Sequence, residues 1–205
     1  MPTRTIAVVA AGLSQPSATR LLADRLSAAT IADLQTRGID ANVTVVEARE
    51  HAKDLVDHLL TGFPSPKLKT AITAITSADG LIAVSPIFSA SYSGLFKMLF
   101  DVLELDSLRG MPVLAAATGG TPRHSLAIDH AIRPLFAYLG AAVVPTGVFA
   151  ATDDWGDADW AASLVSRIER AATELADVVA MRVTPGPDDP FADPVPFHRL
   201  LAGLE

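Results

Sequence analysis

Two rhythms of apolar residues alternate along the chain. Short apolar or β-branched runs at 5–11, 41–46, 80–85, 111–117 and 141–145 are separated by longer stretches in which Leu, Ile, Val and Ala return every three or four positions. The runs suit strands buried on both faces of a parallel sheet, and the period of 3.6 suits amphipathic helices. Helices are expected from the far side of Ser17 to about Gly38, then at 48–60, 67–77, 95–105, 124–139 and 157–181. Ser17 reads as an N-cap, Gly38 and Gly140 stand where helices stop, and Pro64 and Pro66 mark a break. Strands and helices that alternate through short links predict a doubly wound α/β fold in three layers. Its five parallel strands should run in the order 2-1-3-4-5 with right-handed crossovers. That order gathers the loops after strands 1, 3 and 4 beside strand 1, where open α/β sheets bind their ligands.

Those three loops have unusual composition. The first, Gly12-Leu13-Ser14-Gln15-Pro16-Ser17-Ala18-Thr19, sets three hydroxyls before a helix. Free backbone N–H groups and the positive end of the helix dipole favour a phosphate there. It lacks Gly-Lys-Ser/Thr and Gly-x-Gly-x-x-Gly, so a single phosphate monoester such as that of FMN suits it better than a nucleotide polyphosphate. Taken alone, the loop reads equally well as a capped helix start that binds nothing. In the second loop, Pro86, Ile87, Phe88 and Ser89 offer main-chain amides beside apolar and aromatic side chains, and Gly94 lets the next helix start close to a ligand. The third loop has Thr118, Gly119 and Gly120, whose bare backbone lets amides approach the O2 and N1 edge of a flavin, where charge develops on reduction. Turn formation alone is the competing reading of both.

Composition narrows the class. A chain of 205 residues, half of them apolar, suits one domain, here 1–182, followed by a proline-rich arm or disordered tail at 183–205. Phe191, Phe197, Leu200 and Leu201 in that arm suit docking on a neighbour, and a solvated tail suits it as well. The absence of cysteine excludes disulfides, thiolate catalysis and iron–sulfur ligation, so redox chemistry requires a bound cofactor, and no metal site is expected. A net charge of −7 with scattered Lys and Arg argues against nucleic acid and against membrane surfaces. With no long apolar span and no signal-peptide layout, the expected compartment is cytoplasmic. Leu95, Phe96, Met98, Leu99, Phe100, Val102 and Leu103 crowd more of one helix than a sheet can cover, which predicts a homo-oligomer, dimer or tetramer. Lys97 and Asp101 are spaced as a solvated i,i+4 pair.

Three segments carry a resemblance: Gly-Leu-Ser-Gln-Pro-Ser-Ala-Thr-Arg at 12–20, Ser-Pro-Ile-Phe-Ser-Ala-Ser-Tyr-Ser-Gly-Leu-Phe-Lys-Met-Leu-Phe-Asp at 85–101, and Ala-Thr-Gly-Gly-Thr-Pro-Arg-His-Ser-Leu-Ala-Ile-Asp-His-Ala-Ile-Arg-Pro at 117–134. From residue 4 to about 152 the chain resembles the NAD(P)H-dependent FMN reductases of flavodoxin-like fold. The likeness is strongest to the reductase component of two-component alkanesulfonate monooxygenases. The resemblance implies that NADH or NADPH binds over the flavin and passes hydride from nicotinamide C4 to flavin N5. Reduced FMN then leaves for a flavin-dependent monooxygenase. It assigns the phosphate to Ser14, Gln15, Ser17, Ala18 and Thr19, and the isoalloxazine to Pro86, Ile87, Phe88, Ser89, Thr118, Gly119 and Gly120. No acid or base is assigned, because hydride transfer needs alignment first. His130 departs from the pattern: relatives carry a tyrosine there, linked to a π-bulge at the flavin-side interface of a homotetramer, so His130 is expected to face a subunit interface or the flavin across it. Two other functions remain open, a flavodoxin-like electron carrier or quinone reductase that retains FMN tightly, and a non-catalytic interaction module on the same fold.

Overall fold

In a computed structural model, which describes residues 3–156 and 158–182, the apolar runs become the sheet. β1 (Thr3–Ala10), β3 (Gly80–Phe88) and β5 (Pro112–Gly119) form its centre, with β2 (Asp40–Glu47) at one edge. Their side chains alternate between two cores. Ala7, Val9, Leu81, Ala83, Val113 and Ala115 enter one, and Ile6, Val8, Ile82, Val84, Leu114 and Ala116 enter the other. Burial on both faces is why these runs are apolar at every step.

Helices cover each core. α2 (Ala52–Thr61), α3 (Pro66–Thr76), α4 (Gly94–Asp101) and α5 (Arg133–Tyr138) belong to the first, α1 (Ala18–Thr36) and α6 (Ala158–Met181) to the second. Gly38 follows α1 at φ 71°, its N–H bonded to the Gln35 carbonyl at 2.9 Å, and ends the helix as a left-handed cap. With β6 (Ala142–Val143) at the other edge, neighbouring strands run in the order β2-β1-β3-β5-β6, all parallel, with Val8 opposite both Val45 and Ile82 and Ile82 opposite Leu114. Counted by parallel positions alone, this is the expected 2-1-3-4-5. Below the sheet, Asp79 accepts from the Thr5 N–H at 2.8 Å and from Arg4 at 3.1 Å. Arg182 reaches the carbonyls of Ala78 and Asp79 at 2.9 Å each, which joins β1, β3 and the end of α6.

Several expected elements are corrected. The fifth strand, expected to start at 141, is two pieces, β6 (Ala142–Val143) and β7 (Val148–Ala151), both paired with β5. Pro145 has no N–H for the ladder, and Thr146 turns its N–H and hydroxyl to Glu174 at 2.6 Å each. The single helix expected at 124–139 is a 3-10 turn (Pro122–His124), a π turn (Ile128–Ile132) and α5. Pro134 explains the widening: in a regular helix its ring would meet the carbonyl of His130, to which it has no proton to donate. β3 runs on past Ser85 and folds back through a two-residue antiparallel strand, β4 (Ser91–Tyr92). The helix expected at 48–60 begins as a 3-10 turn (Ala48–His51), and the one expected to reach 105 ends at Asp101. On α4 and the turn after it, Phe96, Leu99, Phe100 and Leu103 are buried, while Leu95, Met98 and Val102 pack half-buried on the same core. One sheet therefore covers more of this helix than its composition suggested. The arm at 183–205, with Phe191, Phe197, Leu200 and Leu201, lies outside the described residues.

His51 supplies a test of the core beside β2. It is buried, its Nδ1 has no hydrogen-bond partner among the described residues, and burial first, then the charge of Lys67, pushes its pKa below the usual imidazole value. The unfolded chain therefore takes up the proton first, and stability should decline as pH falls below about 6.5. Urea unfolding at about pH 7.5 and 5.5 should show a smaller decline in His51→Gln than in the wild type. Equal declines would mean that His51 does not set the acid limb.

Candidate flavin-binding site

The site begins where β1 runs out. Gly12 is buried, and a Cβ there would fall 2.1 Å from Ser17 Oγ and 3.0 Å from Thr19 Cβ, so the absence of a side chain lets both hydroxyl residues fold back over the strand end. Ser17 caps α1: its backbone is extended at φ −122° and its Oγ accepts from the Arg20 N–H at 3.2 Å. The remaining free amides of the first turn open towards the loop.

Across from this loop stands the hairpin of β3 and β4. Ser85 Oγ donates to the Pro86 carbonyl at 2.9 Å and accepts from the Ser93 N–H at 3.0 Å, which ties the two ends of the hairpin together. Its tip uses two consecutive left-handed residues, Ser89 at φ 47° and Ala90 at φ 68°, the conformation of a tight primed turn. Ser93 then caps α4, accepting from the Phe96 N–H at 3.3 Å. The third loop lies beside the second, on the side away from β1: Thr118 pairs with Pro86 on one side and with Ala150 on the other.

Together the loops enclose a cleft of about 400 Å³, lined by Gly12, Leu13, Ser14, Ser17, Ala18, Thr19, Pro86, Ile87, Phe88, Thr118, Gly119, Gly120 and Thr152. Ten of the twelve residues singled out in the sequence are there. Gln15 is not: with its amide oriented to suit its neighbours, its oxygen accepts from Arg49 Nη1 at 3.0 Å, away from the cleft. Ser89 stands exposed at the hairpin tip, outside the lining, and Gly94 is also outside it. Gly119 and Gly120 divide in role. A Cβ at 119 would strike Phe149 Cζ at 2.8 Å, so that glycine serves packing, whereas Gly120 faces open space. Sequence reasoning placed Gly12 and Leu13 in the first loop but gave them no site role, and it missed Thr152. Thr152 follows β7, a strand whose start was placed too early, and its position beyond a strand end is the signal that finds it. A cleft of about 460 Å³ between α2, α3 and the turn after α4 is slightly larger but contains none of the three loops.

The lining holds no ionisable side chain. Charge lies behind the first loop instead, where Glu47 accepts from Arg20 Nη1 at 2.6 Å and from Arg49 Nε at 2.8 Å. Arg20 is held above its usual pKa, first by its hydrogen bond to Asp24 at 2.8 Å and then by Glu47. The cleft therefore offers hydroxyls and a helix N-terminus at one end and apolar surface with main-chain amides at the other. That donor set suits a phosphorylated, planar, largely apolar group. His130 lies in the π turn, exposed, and does not line the cleft of its own chain. Lys97 and Asp101 form a half-exposed ion pair along α4.

Comparison with known proteins agrees with this geometry. Residues 4–156 match the family model described as NADPH-dependent FMN reductase. The NADH-dependent FMN reductase SfnF of Pseudomonas putida is 41% identical over 148 residues, 72% of this chain and 77% of that protein. The FMN reductase (NADPH) of Pseudomonas aeruginosa is 37% identical over 179 residues, 86% of this chain and 93% of that one. Among solved structures, an oxidoreductase from Corynebacterium diphtheriae superposes with a TM-score of 0.86 at 46% identity, covering 89% of this chain and all of that chain (100%). The chain thus has a flavodoxin-like fold and belongs to the NADPH-dependent FMN reductases, an oxidoreductase family that uses FMN and NAD(P)H.

Proposed function

We propose that this chain uses NADH or NADPH to reduce FMN that it binds and releases, and that it supplies the reduced flavin to a flavin-dependent monooxygenase acting on sulfonates. The observation that carries the proposal is the convergence of three loops on one cleft that is rich in hydroxyls and amides and has no ionisable side chain. When bound, FMN supplies the chemistry, accepting hydride at N5 from nicotinamide C4. The residues of the chain hold and align. Ser14, Ser17, Ala18 and Thr19 supply hydroxyls and amides to the phosphate, Pro86, Ile87 and Phe88 line the isoalloxazine, and Gly120 brings bare backbone to its polar edge. With no acid or base in the lining, alignment is the contribution of the protein, as hydride transfer requires. The names of the relatives, one NADH-dependent and one NADPH-dependent, leave the nucleotide to experiment.

Steady-state kinetics with both nucleotides and added FMN, on protein passed through gel filtration, tests this reading. The proposed reductase elutes largely colourless and oxidises nucleotide only when FMN is added. A chain that elutes yellow and turns over without added flavin is the tightly binding carrier or quinone reductase, and one that binds no flavin is neither. Ser17→Ala should weaken FMN binding roughly tenfold by removing a charge-assisted hydrogen bond, and should cost folding about 1 kcal/mol for the lost cap. Unchanged FMN affinity with reduced stability would leave Ser17 as a cap alone.

The proposed assembly is a cytoplasmic homotetramer. Support comes from exposed apolar side chains on either side of the π turn in sequence, Leu126 at 61% and Tyr138 at 78% exposure. No helix among the described residues is long and apolar enough to cross a membrane. Light scattering at micromolar concentration should return four copies. A monomer would reject the assembly and the interface role of His130 with it.

A further inference from the structure

Thr118 stands at the end of β5, in the loop that the family resemblance gives to the isoalloxazine, yet its side chain reaches the other end of the cleft. Its Oγ1 lies 2.8 Å from the Oγ1 of Thr19 in the first turn of α1. Both residues are more than nine-tenths buried, at 6% and 3% exposure, and both line the cleft. Gly12 packs against Thr19: a Cβ there would sit 3.2 Å from Thr19 Oγ1. Thr118 is also fixed in the ladder between Pro86 and Ala150, so its backbone cannot shift without moving the sheet.

Two hydroxyls carry two protons, and only one of them lies between the two oxygens. The other is free for the cleft. A dianion at the helix N-terminus selects the arrangement in which Thr118 donates to Thr19 and Thr19 donates outward, since a hydroxyl that accepts a hydrogen bond becomes a better donor. We infer that Thr118 is a positioning residue for the flavin phosphate, acting through Thr19, and not a ligand of the ring. The inference rests on the flavin reading of the cleft.

The test compares FMN with riboflavin, which has the same ring and no phosphate. Each is titrated into the full chain while flavin fluorescence is followed, for the wild type, Thr118→Val, Thr118→Ser, Thr19→Val and the double valine variant. Thermal unfolding without flavin is measured beside it. Thr118→Val should weaken FMN about tenfold and riboflavin less than about twofold, because only the phosphate gains from the relay. Thr118→Ser should restore FMN binding, and the double variant should be no weaker than Thr19→Val alone. Equal losses for both flavins would make Thr118 a ring contact. Lower thermal stability with an unchanged FMN-to-riboflavin ratio would make the pair a core bond, and additive losses would remove the relay. Each of these overturns the inference while flavin binding stands. A wild-type chain that binds neither flavin overturns the cleft reading and the inference together.

Discussion

Gly12→Ala is expected to weaken FMN binding at least a hundredfold. The new methyl would sit 2.1 Å from Ser17 Oγ and 3.0 Å from Thr19 Cβ. Ser17 can swing aside, but then its oxygen leaves both the Arg20 N–H, now 3.2 Å away, and the phosphate. Thr19 is held by its bond to Thr118 and cannot yield in the same way. The loss combines at least one charge-assisted hydrogen bond, worth about 1.5–3 kcal/mol, with a displaced second hydroxyl, and about 2.7 kcal/mol is a hundredfold in affinity. Folding should lose only about 1–2 kcal/mol, chiefly the cap. Fluorescence titration and urea unfolding separate the two. An FMN affinity within about threefold of the wild type would show that this loop does not hold the phosphate.

The largest effect on stability is expected at Phe136→Ala. The ring is fully buried, 4.9 Å from Phe100 and 6.2 Å from Phe96 at near-perpendicular angles of 82° and 87°. These contacts join α5 to α4, and the segment holding Phe136 follows directly on the π turn. Truncation should cost about 3–5 kcal/mol, out of a total of about 5–15 kcal/mol for a typical domain. Phe136→Leu should cost appreciably less, since it leaves a smaller cavity. The shift of the urea midpoint measures both. A loss below about 1.5 kcal/mol for the alanine variant would show that this part of the core collapses around the gap.

The amino-acid sequence by itself determined the frame. Strands buried on both faces must be apolar at every position, so β1, β3 and β5 announced themselves, and with Ser17 and Gly38 marking the ends of α1 the strand order followed from rules of connection. Three unusual loops were legible as one site because that order brings them together. Tertiary structure alone decided what depends on distant partners. Ser89 and Ala90 take left-handed turns without a glycine to signal them, so the hairpin at the cleft stayed hidden. Gln15 has the composition of a ligand but is drawn to Arg49, beyond β2. The widened turn at His130 was already implied by the resemblance, and tertiary packing of the flanking turns on the core holds it around Pro134. Thr118 meets Thr19 across 99 residues of chain, a contact that no local pattern encodes, because hydroxyl geometry is set by the packing of β5 beside α1 and not by neighbours in sequence.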